Sequence, residues 1–325
     1  MKYYFVLNPA AGQGDKPDGL EREIRALGKE QGLDVTVYRT TGRYDAERYA
    51  REVCAACPEE EIRFYFAGGD GTFNEGVNGM YGCPNAAAGV IPIGTGNDFV
   101  RNFSRPENFR SVAAQIGGEA VSCDLVRYGD RVFVNMFNTG LDCQVASYVS
   151  ELKKKPLLGG SAAYLAGVVK AFAKMPGISG FVSFDGGEPV RRDLQLLCAG
   201  NGSFCGGGFM SAPYAELSDG RLDVCLVERV RRTTFARVIG SYKKGTHITE
   251  KNAKIFQYVA CRRMELTFDE PTEICIDGEI ETVGALTLEI LPGACRILVP
   301  AGSEILKKEP LPATAISAGR EAALV

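Results

Sequence analysis

The stretch AGGDGTFNEGVNG, residues Ala67–Gly79, decides how this chain is interpreted. A β-prone apolar run, Ile62–Phe66, leads into its glycines, and Asn74-Glu75 opens a segment with helical character. A strand that ends in glycines and continues as a helix directs several backbone N–H groups at one point, and such an arrangement binds phosphate. Asp70 lies inside this loop, where a Mg²⁺ ion held on phosphates would be expected. A tight turn in an α/β sheet explains the same glycines, so the rest of the chain has to decide.

Bulk composition narrows the class of protein. The chain has 325 residues, enough for about two domains, and a formal net charge of −3. Because this balance lacks the positive excess of nucleic-acid-binding proteins, we expect no nucleic-acid partner. The eleven cysteines form no repeating framework and are odd in number, which favours a reducing compartment. The sequence has neither a signal-peptide core nor an apolar run of bilayer length, so we expect a cytoplasmic protein that is not transmembrane.

Strands and helices alternate through the first part of the chain. Strands are predicted at Lys2–Leu7, Val35–Arg39, Ile62–Phe66 and Ala88–Ile93, with helical segments between them. This alternation predicts a doubly wound, Rossmann-like α/β domain with a parallel sheet and helices on both faces. Ligands of such sheets bind at the carboxyl ends of the strands, so the polar residues that follow the strands should converge on one crevice. These residues are Asn8, Thr40, Gly68–Asn74 and Thr95.

The pattern changes after about Cys123, where short strands with few helices between them predict a mainly antiparallel, β-sandwich-like domain. One helical stretch, Ala162–Ala173, interrupts it, and its apolar face suits either a core or a lipid pocket. The predicted limits are 1–123 for the α/β domain and 124–300 for the β-rich domain. Residues 301–325 are expected to pack back on the first domain or to fray.

The standard nucleotide-binding signatures are missing. The sequence has no G-x-x-x-x-G-K-[ST] loop, and its G-x-G pairs lack the third glycine of the dinucleotide fingerprint. A G-x-S-x-G hydrolase elbow is absent as well. A phosphate site in this chain must therefore be built by other means.

A series of further motifs runs from the first strand to near residue 280. They are Asn8-Pro9…Gly12, GGDGTFNE at Gly68–Glu75, IPIGTGNDF at Ile91–Phe99, NTGLD at Asn138–Asp142, GNGSFCGGGFMSAP at Gly200–Pro213, AELSDGRLDV at Ala215–Val224 and DGE at Asp277–Glu279. In kind and order this series resembles the diacylglycerol-kinase catalytic domain family, in its bacterial soluble lipid kinase branch. Phe73 departs from the family pattern, which usually has an aliphatic residue there.

The resemblance implies a kinase that transfers the γ-phosphoryl group of ATP to a lipid hydroxyl, such as that of diacylglycerol, in a cleft between the two domains. It implies ATP and Mg²⁺ as cofactors and a membrane lipid reached from the membrane surface, with a homodimer as an option suggested by relatives. The implied ATP-binding residues are Asn8, Pro9, Ala10, Ala11, Gly12, Thr40, Gly68, Gly69, Asp70, Gly71, Thr72, Phe73, Asn74 and Thr95.

The resemblance also implies roles for carboxylates. Asp70 and Asp98 would organise Mg²⁺ directly or through water, and Glu279, which follows the Asp277-Gly278 turn, would be the general base. A second, structural Mg²⁺ is implied at Asp219, with the backbone carbonyls of Glu216 and Arg221 as further ligands. An aspartate followed by glycine in a turn needs no metal to be explained, so both interpretations of this turn stay open.

Two other functions stay open at this point. NAD kinases also carry GGDGT, so a kinase of a soluble substrate is an alternative, although the Gly94–Phe99 motif and the DGRLD turn argue against it. A nucleotide-binding regulator without turnover is the second alternative, and the presence of both Asp70 and Glu279 argues against it. The sequence does not select the acceptor among diacylglycerol, a sphingoid base, phosphatidylglycerol and a polyprenol.

Overall fold

The structure is a computed structural model that describes residues 1–12, 16–153, 160–311 and 316–317. The helices are Lys16–Gln31 (α1), Asp45–Ala56 (α2), Asp70–Met80 (α3), Val112–Ile116 (α4), Leu141–Lys153 (α5), Gly160–Lys174 (α6) and Arg232–Lys244 (α7). The strands are Lys2–Leu7 (β1), Val35–Arg39 (β2), Ile62–Gly68 (β3), Ala86–Pro92 (β4), Glu119–Tyr128 (β5), Arg131–Phe133 (β6), Met136–Gly140 (β7), Ile178–Phe184 (β8), Val190–Gly200 (β9), Phe204–Cys205 (β10), Phe209–Met210 (β11), Leu222–Glu228 (β12), Phe256–Cys261 (β13), Arg263–Ile276 (β14), Glu279–Val299 (β15) and Ile316–Ser317 (β16).

The first part of the chain forms a parallel sheet in the order β2-β1-β3-β4. Successive side chains of a strand point to opposite faces, so Phe64 and Phe66 pack on one side with α2 and α3. Tyr65 packs on the other side, in a cluster that includes Ile24 of α1 and Val112 of α4. The predicted doubly wound domain with helices on both faces is confirmed.

The second part is mainly antiparallel, with β13-β12-β9-β7-β14-β15 as consecutive neighbours. The long strands β14 and β15 change register between Thr267 and Thr272 and between Leu291 and Cys295. Such irregularities bend strands and let a sheet fold over its own apolar side chains. One core lies among the strands, and a second lies between the strands and α5, α6 and α7. The predicted β-sandwich-like character is confirmed.

The helix content of the second part differs from the sequence prediction. Only Ala162–Ala173 was predicted to be helical, whereas α5, α6 and α7 are all present. In α7 the buried residues Phe235, Val238 and Tyr242 keep helical spacing. The β-branched residues Thr233, Thr234 and Ile239 of the same helix weaken the local helix signal. Tertiary burial of one face therefore decides the conformation of this segment.

The end of β15 joins the two parts of the molecule. Ile297 pairs with Ala88 of β4, and Cys295 and Ile297 pack in the core of the first sheet. Beyond it, the backbone N–H of Ala301 donates to Ala114 and Ile305 bridges to Phe103. The chain thus returns to the first sheet before residue 300, and the limits 1–123, 124–300 and 301–325 stay predictions.

The C-terminal prediction falls partly on residues 312–315 and 318–325, which lie outside the described residues. Of the described end, β16 pairs with β13. Within the described ranges, no helix combines the length and the apolar character needed to cross a bilayer.

Candidate active site

The glycine loop between β3 and α3 packs tightly against its neighbours. A Cβ on Gly68 would lie 2.4 Å from Oγ1 of Thr72, and one on Gly94 would lie 2.4 Å from Cα of Gly69. The N–H groups of Ile93 and Gly94 donate to the Gly68 carbonyl at 3.0 and 3.1 Å. Gly69 is the N-cap of α3 and brings no side chain to its first turn. The first N–H groups of α3 therefore have no side-chain cap and can donate hydrogen bonds to an anion.

Two predicted residues at other strand ends join this loop. Asn8 follows β1, and its Nδ2 donates to Oγ1 of Thr72 at 2.9 Å, while its Oδ1 accepts from the N–H of Ala10 at 2.9 Å. Thr40 follows β2 and is buried, with its N–H donating to the Leu7 carbonyl. The sheet topology thus brings Asn8, Thr40 and Thr72 to one edge, as predicted for the carboxyl ends of parallel strands.

Asp70 and Asp98 both lie next to Gly96. A Cβ on Gly96 would lie 3.1 Å from Oδ2 of Asp70 and 3.5 Å from Oδ2 of Asp98. Asp70 accepts from the N–H of Phe99 at 3.3 Å. Burial, together with the charge of Asp98, raises the pKa of Asp70 to about 6. Burial also raises the pKa of Asp98. Two crowded, partly desolvated carboxylates form a site in which a cation would be stabilised.

Asp277 is a buried carboxylate that sequence reasoning treated only as a turn residue. Oδ1 accepts from the N–H of Met136 at 2.8 Å, and Oδ2 accepts from the N–H groups of Val134 and Asn135 at 3.0 and 3.3 Å. Burial raises the pKa of Asp277 to about 7, although these N–H donors lower it. The charge of Asp70 adds to the rise. The DGE motif was the available signal, but it does not reveal on which side of the turn the side chain lies.

Glu279 follows the turn at Asp277 and Gly278, whose φ angles are 45° and 91°. Its carboxylate forms an ion pair with Arg43, which lies in the loop after β2. A Cβ on Gly71 would lie 3.2 Å from Oε1 of Glu279, so the carboxylate is next to the first turn of α3. The hairpin therefore brings the predicted base to the glycine loop.

A cavity of about 610 Å³ opens between the two parts of the molecule. It is lined by carboxylates and loop residues together with apolar side chains of β7, α5 and β15. The principal lining residues are Asp70, Thr95, Asp98, Asp277, Met136, Val145, Ala146, Val149 and Ile280. The predicted pocket helix lies behind α5, since a Cβ on Gly167 would lie 2.7 Å from Val149. Among the side chains that the structure describes, α5 supplies the helical wall of the cavity.

Some predicted cofactor-binding residues contribute in another way. The side chain of Phe73 is buried in the core, with ring centroids 6.4 Å from Phe66 and 4.8 Å from Phe99. It cannot contact a cofactor at the loop surface, so any contact from Phe73 has to come from its backbone. Asn74 is also buried and accepts from Nδ2 of Asn78 within α3. Residues 9–12 form a largely exposed loop beside Asn8.

The turn with Glu216, Asp219 and Arg221 lies apart from this cavity. Oδ1 of Asp219 accepts from the N–H of Arg221 at 3.0 Å, which is an Asx turn. Burial raises the pKa of Asp219, and the charges of Glu216 and Asp124 add to the rise. Within the described residues, no cluster of three or more His, Cys, Asp or Glu side chains is arranged to hold a metal. The structural Mg²⁺, which would use two carbonyls and one carboxylate, stays a prediction.

Comparison with known proteins places the chain in a family. Residues 2–128 match the diacylglycerol kinase catalytic domain, and residues 135–299 match the YegS C-terminal NAD kinase beta sandwich-like domain. The chain belongs to the YegS-like family of lipid kinases. This confirms the resemblance found in the sequence.

Relatives of this lipid kinase family match along most of their length. A probable lipid kinase YegS-like of Pseudomonas aeruginosa PAO1 is 30% identical over 292 residues, covering 89% of this chain and 92% of that protein. A diacylglycerol kinase of Bacillus subtilis strain 168 is 28% identical over 278 residues, covering 85% and 88%. A solved diacylglycerol kinase structure from Bacillus anthracis Sterne has the same fold, with a TM-score of 0.67, 21% identity and coverage of 94% and 98%.

Proposed function

We propose that this protein is an ATP-dependent kinase that transfers the γ-phosphoryl group to the hydroxyl of a lipid, with diacylglycerol as the first candidate. The observation that supports it is the cavity that joins the carboxylates of Asp70 and Asp98 to the apolar side chains of Val145 and Val149. A lipid alcohol likewise combines a polar hydroxyl with apolar chains. The enzyme would meet this substrate at the membrane surface.

In this proposal the phosphates of ATP lie at the uncapped first turn of α3, where N–H groups of residues 69–72 converge. Asn8 positions Thr72 at this turn, and Thr40 and Thr95 line the neighbouring strand ends. Asp70 and Asp98 fit Mg²⁺, which typically binds through one or two carboxylates plus phosphate oxygens. When bound there, Mg²⁺ would neutralise negative charge on the phosphates.

Glu279 is proposed to accept the proton of the acceptor hydroxyl. Its carboxylate lies at the first turn of α3, although Glu279 itself begins β15 in the second part of the chain. General-base catalysis contributes about 10²–10⁴-fold to a rate. We therefore expect Glu279→Gln to lower kcat by about this factor while the protein stays folded. A folded variant with near-normal turnover would remove Glu279 from this role.

The proposed function is tested by incubating the protein with γ-labelled ATP, Mg²⁺ and separate acceptors. The acceptors are 1,2-dioleoylglycerol, sphingosine, phosphatidylglycerol and a polyprenol in mixed micelles, and NAD in solution. Label in one of the lipids supports the proposal. Label in NADP alone would instead support a kinase of a soluble substrate. Absence of transfer to any acceptor would leave the nucleotide-binding regulator as the better interpretation.

A further inference from the structure

Arg43 and Glu279 form an ion pair although they are 236 positions apart in the chain. Arg43 belongs to the loop after β2, and Glu279 begins β15. Nη2 of Arg43 donates to Oε2 of Glu279, whereas Oε1 lies toward Gly71 in the first turn of α3. The two carboxylate oxygens are therefore engaged in different directions. One is held by a cation, and the other lies beside the helix turn to which the proposed function assigns the phosphates.

The loop that carries Arg43 is itself held in place. Oδ2 of Asp45 accepts from the N–H of Thr41 at 2.7 Å and from its hydroxyl at 2.9 Å. The N–H of Tyr44 donates to Oε1 of Glu75 at 2.9 Å. Tyr44 has a φ of 62°, a left-handed conformation that is uncommon for a residue with a side chain and persists where surrounding contacts require it.

The side chain of Arg43 is further restricted by stacking. Its guanidinium carbon lies 4.7 Å from the centroid of the Tyr44 ring, within the range of a cation–π interaction. Arg43 thus reaches Glu279 from a fixed loop and along an aromatic face. This arrangement limits the directions in which the guanidinium can hold the carboxylate.

The exposure of the pair indicates what it is for. The side chains of Arg43 and Glu279 are 58% and 34% exposed. Ion pairs of this exposure contribute little to folding stability because water and salt screen them. The pair therefore adds little to the fold. Because the Glu279 carboxylate follows the buried turn and reaches the glycine loop, we interpret the contact as one that positions this carboxylate.

We propose that Arg43 is a positioning residue that holds the Glu279 carboxylate at the first turn of α3 for proton transfer, an inference that rests on the proposed function. The acceptor O–H bond breaks and its proton passes to Glu279. The acceptor oxygen forms a bond to the γ-phosphorus, and the bond from that phosphorus to the bridging oxygen breaks, so that ADP leaves. Arg43 contacts neither ATP nor the acceptor in this role.

The experiment compares Arg43→Gln, Arg43→Lys and Glu279→Gln, and the double variant Arg43→Gln/Glu279→Gln. The acceptor is whichever of the four lipids the wild-type protein phosphorylates fastest. Arg25→Gln is the matched control, because Arg25 is 59% exposed and pairs with Glu21 within α1, away from the cleft. Kinetics are measured against ATP, and binding of ATP is measured separately by calorimetry.

Arg43→Gln is expected to lower kcat by about 10- to 100-fold, the effect of a misplaced catalytic group. The KM and Kd for ATP should change by no more than about twofold, because the lost contact acts on the chemical step. Arg43→Lys keeps the charge and should recover part of the loss. The double variant should be no slower than Glu279→Gln, since Arg43 acts through that residue. Arg25→Gln should match the wild type.

Three results would overturn the inference. A wild-type kcat in Arg43→Gln would remove the role, and a raised Kd for ATP with unchanged kcat would make Arg43 a nucleotide ligand. A double variant clearly slower than Glu279→Gln would mean that Arg43 acts independently of it. Wild-type protein that phosphorylates none of the lipids would instead overturn the proposed function, and the role of Arg43 with it.

Discussion

The backbone N–H of Gly207 donates a 2.8 Å hydrogen bond to Oδ2 of Asp98. Asp98 lies in the glycine loop after β4, and Gly207 lies between β10 and β11 in the second part of the chain. The carboxylate therefore receives a donor from across the cleft, and its Oδ1 forms an ion pair with Arg101 at 3.2 Å. Asp98→Asn keeps the shape and an oxygen acceptor but removes the charge. We expect kcat to fall by about 10²–10³-fold, as when a preorganised electrostatic contact is lost.

This prediction is checked by steady-state kinetics together with thermal unfolding. The amide oxygen introduced by Asp98→Asn can still accept from the N–H of Gly207, so the unfolding midpoint should stay close to that of the wild type. Equal activity of Asp98→Asn and wild type would show that the charge of Asp98 is not needed.

Asp277 should make folding stability depend on pH. Its pKa rises from 3.8 to about 7 on folding, so the folded state holds this proton more tightly than the unfolded chain does. The stability contributed by this group is complete below about pH 4 and is lost as pH rises through about 7. The contribution of Asp277 to the free energy of unfolding should therefore be smaller at pH 8 than at pH 5, as measured by urea unfolding in EDTA.

Asp277→Asn isolates that contribution. The carboxylate of Asp277 accepts through both oxygens, whereas the amide of asparagine has one acceptor oxygen. At least one of the buried N–H groups of Val134, Asn135 and Met136 therefore loses its partner, at a cost of about 1–3 kcal/mol. The variant should be less stable than the wild type at pH 5, with a smaller decrease between pH 5 and pH 8. Parallel decreases in the two proteins would contradict the assignment to Asp277.

The hydrogen bond between Asn8 and Thr72 should support nucleotide binding. Thr72→Val keeps the shape of the side chain and removes the hydroxyl that accepts from Nδ2 of Asn8 at 2.9 Å. Loss of one hydrogen bond is expected to cost about 1 kcal/mol, or about fivefold in the Kd for ATP by calorimetry. Thr72→Ser retains the hydroxyl and is the matched control. Weakened ATP binding in Thr72→Ser with unchanged binding in Thr72→Val would mean that the methyl group, and not the hydrogen bond, matters.

Gly94 should tolerate no side chain. A Cβ there would lie 2.4 Å from Cα and 3.0 Å from N of Gly69, so Gly94→Ala must displace one of the two loops. We expect a loss of about 1–3 kcal/mol in stability and a strong loss of ATP binding. Gly240→Ala in α7 is the control, because no atom lies within 4 Å of its added Cβ. That variant should be as stable as the wild type or up to about 1 kcal/mol more stable. Similar unfolding midpoints for the two variants would contradict the clash.

The apolar side chains of α5 in the cavity should determine acceptor binding. Ala146 of α5 lines the cavity, so Ala146→Trp would fill part of the 610 Å³ space. The KM for the lipid should rise by about tenfold or more while the Kd for ATP stays unchanged, because the proposed phosphate site is at the first turn of α3 and not on α5. Ala146→Ser adds little volume and should behave as wild type. Weakened ATP binding in Ala146→Trp would place the nucleotide in this part of the cavity instead.

Much of the first domain could be predicted because its signals are local. Alternating strands and helices indicated the parallel sheet of β1, β2, β3 and β4, and the glycines at residues 68, 69 and 71 marked the loop where a strand gives way to a helix. The conformational freedom of glycine and the spacing of hydrophobic residues depend on neighbouring residues, so both can be predicted from the sequence. The order of the motifs along the chain also indicated the family.

The sequence by itself determined the glycine loop, the two-part architecture and the carboxylates worth testing. Only the tertiary structure decided that Phe73 packs in the core, that Asp277 turns its carboxylate inward and that Arg43 meets Glu279. Each of these depends on which side chains meet after distant strands pair. Such long-range contacts produce no periodic pattern in the sequence from which they could be predicted. Burial and pairing then set the pKa of Asp277 and the direction of the Glu279 carboxylate, since both depend on surroundings and not on residue type.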